Sequence, residues 1–243
     1  MVRMTPTARA GTADVTAALR DVASLGGFFE LETGGTDRGW HPVGESYARG
    51  FTDLLAAVAR RHRTPEARID ASVAQLGHAA RLWSPAIACA VLHGIVLDLE
   101  GLQRADEGPR LRLPRPGGWH ADRLPDPAGT LGDQVMGLLG ALRAGLGVKV
   151  APRLLDGNAA SALAGSAQVL LGARPEVREP LTGLVTRLLR TGRLAGTGRF
   201  TGPDLAFRRR SCCLYYRAPA GSVCGDCCFG GRETEHPGGQ GMP

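Results

Sequence analysis

Five of the six cysteines in this chain lie in one short stretch near its C-terminus, RRSCCLYYRAPAGSVCGDCCFGG at residues 209–231. They are Cys212, Cys213, Cys224, Cys227 and Cys228. Thiols this close together serve proteins as disulfides, as zinc ligands or as ligands of an iron–sulfur cluster. The choice among these three decides how the C-terminal part of the chain folds and what chemistry it supports.

The rest of the sequence predicts a reducing compartment for these thiols. The first residues, MVRMTPTARAGTADV, lack the apolar run of a secretory signal, and no later run reaches the roughly 18 apolar residues that a membrane span needs. We therefore predict a cytoplasmic protein. Because cytoplasmic thiols stay reduced, their close spacing favours metal binding or redox chemistry over structural disulfides.

The charge of the chain is basic but diffuse. With 29 Lys plus Arg against 23 Asp plus Glu, the net charge is +6, and the basic residues are spread along most of the chain. Such a charge suits an acidic protein partner or peripheral contact with the anionic inner face of the cell membrane. It would also suit nucleic acid, but an aromatic content of 5% leaves few stacking platforms for bases, and we predict no nucleic-acid partner.

The apolar pattern predicts an α+β fold that is predominantly helical, with a small antiparallel sheet component and a C-terminal cysteine-rich lobe. At 243 residues and 43% hydrophobic content, the chain can bury a sizeable core. Helical patterns cover residues 14–25, 45–62, 69–82, 86–99, 131–142, 159–171 and 177–189. The alternation in RLRL, residues 110–113, predicts a strand in an antiparallel pair.

Composition divides the chain into four predicted parts. These are a flexible N-terminus (1–11), a mainly helical body (12–200), the cysteine segment (201–230) and a disordered tail (231–243). The loop before Gly44 and the linker Gly192–Pro203 carry too many glycines for regular structure. Within the body, we expect Cys89 and His93 in the interior of a buried helix, and Asn158 as the cap of the helix that follows it.

The two halves of the cysteine motif place different demands on a metal. Cys224 and Cys227 have the spacing of a chelating turn, with Gly225 between them, and this half suits zinc and iron equally. Cys212 and Cys213 are neighbours, so both can bind one centre only at a bend. Mononuclear zinc more often draws on a Cys-x2-Cys pair on each side, whereas a two-iron cluster accepts successive thiolates more readily.

The stretches RRSCCLYYR and VCGDCCF resemble the C-terminal motif of the ferric-siderophore reductase family (FhuF-like). That family's signature is Cys-Cys, ten residues, Cys, two residues, Cys, and the spacing from Cys212 to Cys227 matches it throughout. The segments RLWSPAIACAVLHGIV and DGNAASALAGSAQVL look like the family's central helices, which extends the resemblance over roughly residues 45–230.

The resemblance implies a [2Fe–2S] cofactor held by four cysteines, here Cys212, Cys213, Cys224 and Cys227. It also implies an oxidoreductase that reduces siderophore-bound Fe(III) to Fe(II), with a hydroxamate-type siderophore as the expected substrate. Cys228 lies outside the signature, as a spare thiol or as an exchange partner of Cys227. No nucleotide-binding fingerprint is present, so the electrons must come from an external donor such as a ferredoxin or a flavin- or NAD(P)H-dependent reductase.

Basic residues flank the predicted ligands. We hypothesise that Arg208, Arg209, Arg210 and Arg217 stabilise the thiolates and the reduced cluster and help to dock an acidic electron donor, with a solvated surface patch as the alternative. Two functions from other classes also remain open. One is a zinc-stabilised binding module, and the other is an iron or redox sensor that reduces no substrate.

The siderophore pocket is expected between the helical body and the cysteine segment. Its candidate lining residues are Trp83, His120 and Asn158, with packing or helix capping as the alternative for each. The apolar residues expected to pack the cysteine segment onto the body are Leu214, Tyr215, Tyr216 and Val223, with Phe229 closing the far side.

Overall fold

The computed structural model of the protein describes residues 8–64, 66–219 and 221–229. The predicted disordered tail, residues 231–243, lies outside these ranges, as do residues 1–7 of the predicted flexible N-terminus. The last residues of that predicted N-terminus are ordered by the body, because the Ala10 N–H donates to Gly118 O at 3.0 Å.

The described residues form the mainly helical fold that the apolar pattern predicts. The α-helices are α1 (Thr12–Ala23), α2 (Val43–Ala48), α3 (Thr52–His62), α4 (Ala67–His93), α5 (Pro127–Gly145), α6 (Pro152–Ala173) and α7 (Arg178–Leu189). The long helices α4 and α6 pack against each other at the centre of the molecule, and both bury small residues along this contact. Small side chains let the two helix backbones approach closely.

Short strands form three small sheets. The strands are β1 (Glu32–Thr33), β2 (Trp40–Pro42), β3 (Ile95–Leu97), β4 (Gln103–Ala105), β5 (Leu111–Leu113), β6 (Gly118–His120), β7 (Gly198–Phe200) and β8 (Phe207–Arg209). The largest sheet has the order β1-β5-β4-β2, and β3–β6 and β7–β8 are antiparallel pairs. The strand predicted at RLRL is confirmed as β5, which pairs antiparallel with β4.

Two stretches that were expected to be irregular contain strands. The loop before Gly44 contributes β1 and β2, and the glycine-rich linker contributes β7. The partners of β1 and β2 lie far along the chain, as in the pairing of Trp40 with Ala105, whereas β7 pairs with the nearby β8, as in the pairing of Phe200 with Phe207. In both stretches, strand pairing overrides the local preference of a glycine-rich sequence for turns.

The prediction of two helices on either side of Pro85 is wrong, because α4 runs through this proline without a break. Proline removes one backbone hydrogen bond, but Trp83 and Ile87 on either side are fully buried, and their packing stabilises the continuous helix. The helix ends at His93, since Gly94 adopts a left-handed conformation with φ +62°. Cys89 is fully buried as expected, whereas His93 is half-exposed and hydrogen-bonded to Asp21.

The helix predicted over residues 45–62 is broken in the middle. Phe51 adopts φ +58° between α2 and α3. Its side chain is buried against His78, whose Nε2 is hydrogen-bonded to the Tyr47 hydroxyl at 2.6 Å. Tertiary packing of Phe51 therefore outweighs the continuous helical pattern.

Among the helices that the structure describes, none has the combination of length and apolar character needed to cross a membrane.

Candidate metal centre

The cysteine segment turns sharply after its first pair of thiols, as ligation by neighbouring cysteines requires. Leu214 adopts φ +68°, and a short 3₁₀ helix follows over Tyr215–Arg217. This bend directs the Leu214 N–H at Cys212 Sγ, with a nitrogen–sulfur distance of 3.2 Å. Backbone N–H groups that point at sulfur stabilise its negative charge in metal–thiolate sites.

The structure brings the two halves of the motif together at one pair of thiols. Cys213 Sγ and Cys224 Sγ lie 3.6 Å apart, and both cysteines are free. The distance is far longer than the roughly 2.05 Å of a disulfide. Two thiolates each about 2.3 Å from one tetrahedral metal ion would lie about 3.8 Å apart. The pair therefore has the separation of two ligands on one metal ion.

The second half of the motif forms the expected chelating turn. The Cys227 N–H donates to Cys224 O at 3.0 Å, and the Phe229 N–H donates to Cys227 Sγ at 3.4 Å. Within residues 8–64, 66–219 and 221–229, no three His, Cys, Asp or Glu side chains form a group that could hold a metal ion. The ligand set Cys212, Cys213, Cys224 and Cys227 accordingly stays a prediction, of which one pair is at ligand distance.

The thiols differ in acidity because of their surroundings. The hydrogen bond from the Cys224 thiol, aided by the Tyr215 N–H, lowers the pKa of Cys213 to about 6, and the same hydrogen bond raises the pKa of Cys224. Burial raises the pKa of Cys212 and of Cys228. Cys213 is therefore the more acidic thiol of the pair, and binding of a metal by both residues would release the protons that they still carry.

Polar side chains from the middle of α4 and α6 hold the first cysteine pair. The Ser72 hydroxyl donates to Cys213 O at 2.7 Å, and Asn158 Nδ2 donates to Ser72 O at 3.0 Å. Asn158 Oδ1 accepts from Arg209 Nη2 at 2.5 Å. The prediction of Asn158 as a helix cap is wrong, because α6 begins at Pro152, whose fixed φ suits the first helical turn.

The three consecutive arginines have three different environments. Arg209 is 1% exposed, which excludes a solvated patch for this residue. The half-buried Arg208 donates to Cys227 O at 3.1 Å, and Arg210 is exposed. Arg217 forms an ion pair with Glu66 at 2.6 Å and so ties the segment to the start of α4.

Only part of the predicted apolar packing of the segment is present. Tyr215 contacts His62 of α3, with ring centroids 5.3 Å apart and edge to face. Tyr216 and Val223 do not pack against the body, because 46% and 55% of their surfaces are exposed. Tyr216 instead contacts Phe229 at 5.7 Å. Tyr216 and Phe229 lie on the exposed side of the cysteine segment, because polar groups and the backbone make its contact with the body.

The three predicted pocket residues do not meet in one cleft. Trp83 is fully buried in the core, His120 is half-buried at the end of β6, and Asn158 is buried in the contact with Arg209. The clefts beside the cysteine segment are lined by other residues. One, of about 410 Å³, is lined by Ser161, Gln168, Thr201, Arg208 and Asp226, and the second, of about 460 Å³, by Arg153, Asp156, Arg193, Arg210 and Ser211.

Apart from Arg208 and Arg210, which the sequence analysis named as basic residues beside the ligands, these lining residues were missed because they come from distant parts of the chain. The one local signal is the spacing of Ser161 and Gln168, which lie seven residues apart and therefore share a face of α6. Ser72, like Asn158 which the sequence analysis did name, could have been suspected as a polar residue on an otherwise small and apolar helix face. Nothing in the sequence pairs them with Arg209.

Comparison with protein families identifies the cysteine segment. Residues 209–229 match the model of the FhuF 2Fe-2S C-terminal domain. This segment of the chain is FhuF-like. The match supports an iron–sulfur, siderophore-related protein whose cofactor is a [2Fe–2S] cluster. The match does not extend over the helical body, and neither the curated proteins nor the solved structures gave a match.

The residues of the FhuF-like segment fit this cofactor. They provide thiols in excess of the four ligands that a [2Fe–2S] cluster takes, one pair at the separation of two ligands on a metal ion. They also provide backbone N–H groups directed at Cys212 and Cys227. Cys89, by contrast, is buried in α4, where burial raises its pKa to about 12.

Proposed function

We propose that the protein is a cytoplasmic ferric-siderophore reductase, an oxidoreductase that transfers one electron to siderophore-bound Fe(III) and so releases Fe(II). The observation that carries the proposal is the match of residues 209–229 to the FhuF 2Fe-2S domain, together with the free thiol pair at 3.6 Å. When bound, the [2Fe–2S] group supplies single-electron transfer.

The release of iron follows from charge and size. Hydroxamate-type siderophores present hard oxygen donors that hold small Fe(III) strongly, and Fe(II) carries less charge and binds these oxygens more weakly. One electron added to the ferric chelate therefore lowers its affinity for the metal. The electron comes from an external donor, a ferredoxin or a flavin- or NAD(P)H-dependent reductase.

The cleft between α6 and the cysteine segment supports binding of the chelate. Ser161, Gln168 and Thr201 offer neutral polar groups, and Arg208 offers a cation, a combination that suits the oxygen-rich surface of a hydroxamate chelate. Gly225 and Asp226, which lie between Cys224 and Cys227 in the chain, line the same cleft. A chelate bound there would lie beside the thiols, within reach of electron transfer.

The second cleft supports docking of an acidic donor. Arg153, Arg193 and Arg210 surround it with a single carboxylate, that of Asp156, and Ser211 in its lining directly precedes Cys212. A basic surface of this kind attracts an acidic protein and steers its approach. Contact with the anionic inner face of the cell membrane is the alternative use of the same charge.

Anaerobic purification followed by iron, sulfide and zinc analysis tests the proposal. We expect about two irons and two sulfides per chain, a visible spectrum that dithionite bleaches, and recovery of the colour when a ferric hydroxamate is added. Stoichiometric zinc without a chromophore, even after attempted cluster reconstitution, would indicate the zinc-stabilised module. A reducible cluster that no ferric siderophore reoxidises would indicate a sensor.

A matched pair of variants tests the ligand set. Cys227→Ser removes a predicted ligand, and we expect it to abolish the visible chromophore. Cys228→Ser removes the neighbouring thiol outside the signature, and we expect iron content and turnover to stay within about a factor of two of the unmodified protein. Equal loss in both variants would contradict the assignment of Cys227 over Cys228.

A further inference from the structure

Three arginine side chains are buried in the described part of the chain, and one of them differs from the other two. Arg104 is 3% exposed and forms an ion pair with Asp53 at 2.8 Å, and Arg112 is 3% exposed and forms one with Asp37 at 2.9 Å. Arg209 is 1% exposed, and among the described residues no carboxylate lies within ion-pair distance of it.

The hydrogen bonds of Arg209 do not compensate its charge. Its Nη2 donates to the neutral amide oxygen of Asn158, while Nε and Nη1 are buried and have no acceptor within the described ranges. Removal of a guanidinium from water without an anionic partner is strongly unfavourable. A native fold that keeps such a cation buried must place negative charge near it.

The anionic groups left for Arg209 are the thiolates of the cysteine segment, because the Asp226 carboxylate accepts from the Ser161 hydroxyl and forms no ion pair with Arg209. Arg209 lies three residues before Cys212 in the chain, and its N–H donates to Asp226 O, between Cys224 and Cys227, at 3.0 Å. Ser72, which contacts Asn158, also donates to Cys213 O. The arginine is therefore connected to both halves of the motif.

We infer that Arg209 is the counter-cation of the iron–sulfur site and that Asn158 and Ser72 hold its guanidinium in position. The inference rests on the cofactor within the proposed function and not on the choice of siderophore. Reduction adds one negative charge to the site, so a fixed, buried cation favours the reduced state. The fixed positive charge of Arg209 thus sets how readily the iron–sulfur site accepts an electron.

Two substitutions remove this compensation in different ways. Arg209→Gln deletes the cation, whereas Asn158→Asp keeps it and provides a carboxylate that neutralises it. Arg210→Gln is the matched control, because it deletes the same charge from the next residue, which is exposed and screened by solvent. Arg209→Lys restores a cation and should recover part of the effect of Arg209→Gln.

The measurement is a redox titration of the visible spectrum of each purified, cluster-loaded protein. We expect Arg209→Gln and Asn158→Asp each to lower the equilibrium constant of one-electron reduction about tenfold, which is about 59 mV more negative. Arg210→Gln should change this constant by less than about threefold. Midpoint potentials of Arg209→Gln and Asn158→Asp within the range of Arg210→Gln would overturn the inference.

The titration needs no siderophore, so the two proposals can fail separately. If the midpoint potential of the cluster-loaded protein does not change when Arg209 is substituted, this inference is overturned and the reductase proposal is unaffected. A loaded protein that shows the tenfold effect but turns over no ferric chelate supports the inference and overturns the reductase. If Arg209→Gln fails to load iron, Asn158→Asp still gives the result, because its guanidinium is intact.

Discussion

The four-stranded sheet and the cysteine segment both bury arginine, but they neutralise its charge differently. In the sheet, Arg104 and Arg112 are matched by Asp53 and Asp37, so the polypeptide itself supplies both members of each ion pair. In the cysteine segment, Arg209 has a neutral amide as its side-chain partner. The polypeptide thus balances the buried charge of the sheet, whereas the balance of the charge on Arg209 is what we infer the metal–thiolate centre to supply.

The two regions also differ in how they bury apolar surface. Leu111 and Leu113 of β5 are almost fully buried, and they join the main core. The cysteine segment buries Leu205 and Phe207 in the same core, but further along it exposes Tyr216, Val223 and Phe229. Because residues 212–229 bury little apolar surface, we expect metal binding to supply much of the folding free energy of this part.

Removal of iron should produce the largest difference between the cysteine segment and the four-stranded sheet. In the structure, the Arg209 and Cys227 amides donate to Asp226 O and Cys224 O. After treatment of the full chain with a chelator and a reductant, we expect these two amides to exchange hydrogen at least about tenfold faster than in the iron-loaded protein. The amides of β4 and β5 should be unchanged. Equal acceleration in both regions would show that the segment does not depend on the metal more than the sheet does.

Gly157→Ala should have the next largest effect, because it separates the segment from the body. A Cβ at this buried position of α6 would collide with Ser211 Oγ and approach Arg209 Nη2 to 3.3 Å. We expect a loss of about 1–3 kcal/mol in the free energy of urea unfolding, with reduced cluster content. Gly165→Ala in the same helix is the control, since its Cβ meets nothing within 4 Å and should stabilise by up to about 1 kcal/mol.

Substitution of the two carboxylates that pair with the arginines of the sheet should have the smallest effect, and this effect should not depend on iron. Asp53→Asn leaves Arg104 with the Ser46 hydroxyl and Gly108 O, and we expect a loss of about 1–2 kcal/mol. Asp37→Asn should cost less than about 1 kcal/mol, because Asp37 is largely exposed and Arg112 has further acceptors. Those acceptors are Gly34 O, Thr36 O and Gln103 Oε1.

Both carboxylate variants are tested by the free energy of urea unfolding, measured with iron-loaded and with iron-free protein. Each variant should lose the same free energy of unfolding in the two forms, since the charges of Arg104 and Arg112 are neutralised without the metal. A loss that appears in the loaded form alone would mean that the sheet and the cysteine segment are coupled, and would remove the distinction between them.

Patterns within single segments predicted much of the fold. The helical body, the strand at RLRL and the burial of Cys89 follow from local apolar spacing, and the structure has each of them. The errors occur where distant contacts outweigh the local pattern. Phe51 breaks a helix to pack on His78, and Tyr216, which has the composition of a packing residue, stays exposed because polar groups make the contact with the body.

The [2Fe–2S] signature can be recognised from the order of the cysteines, because ligand spacing is a local property: the run from Cys212 to Cys227 lies within one short segment that matches the FhuF 2Fe-2S domain. Which arginine is buried, and which groups hold it, depends instead on how distant elements pack. Ser72, Asn158 and Arg209 come from three separate elements, and no local pattern distinguishes Arg209 from Arg208 or Arg210. The packing of α4 against α6 brings Ser72 and Asn158 together beneath the cysteine segment, and a buried charge acquires its partners only from such packing.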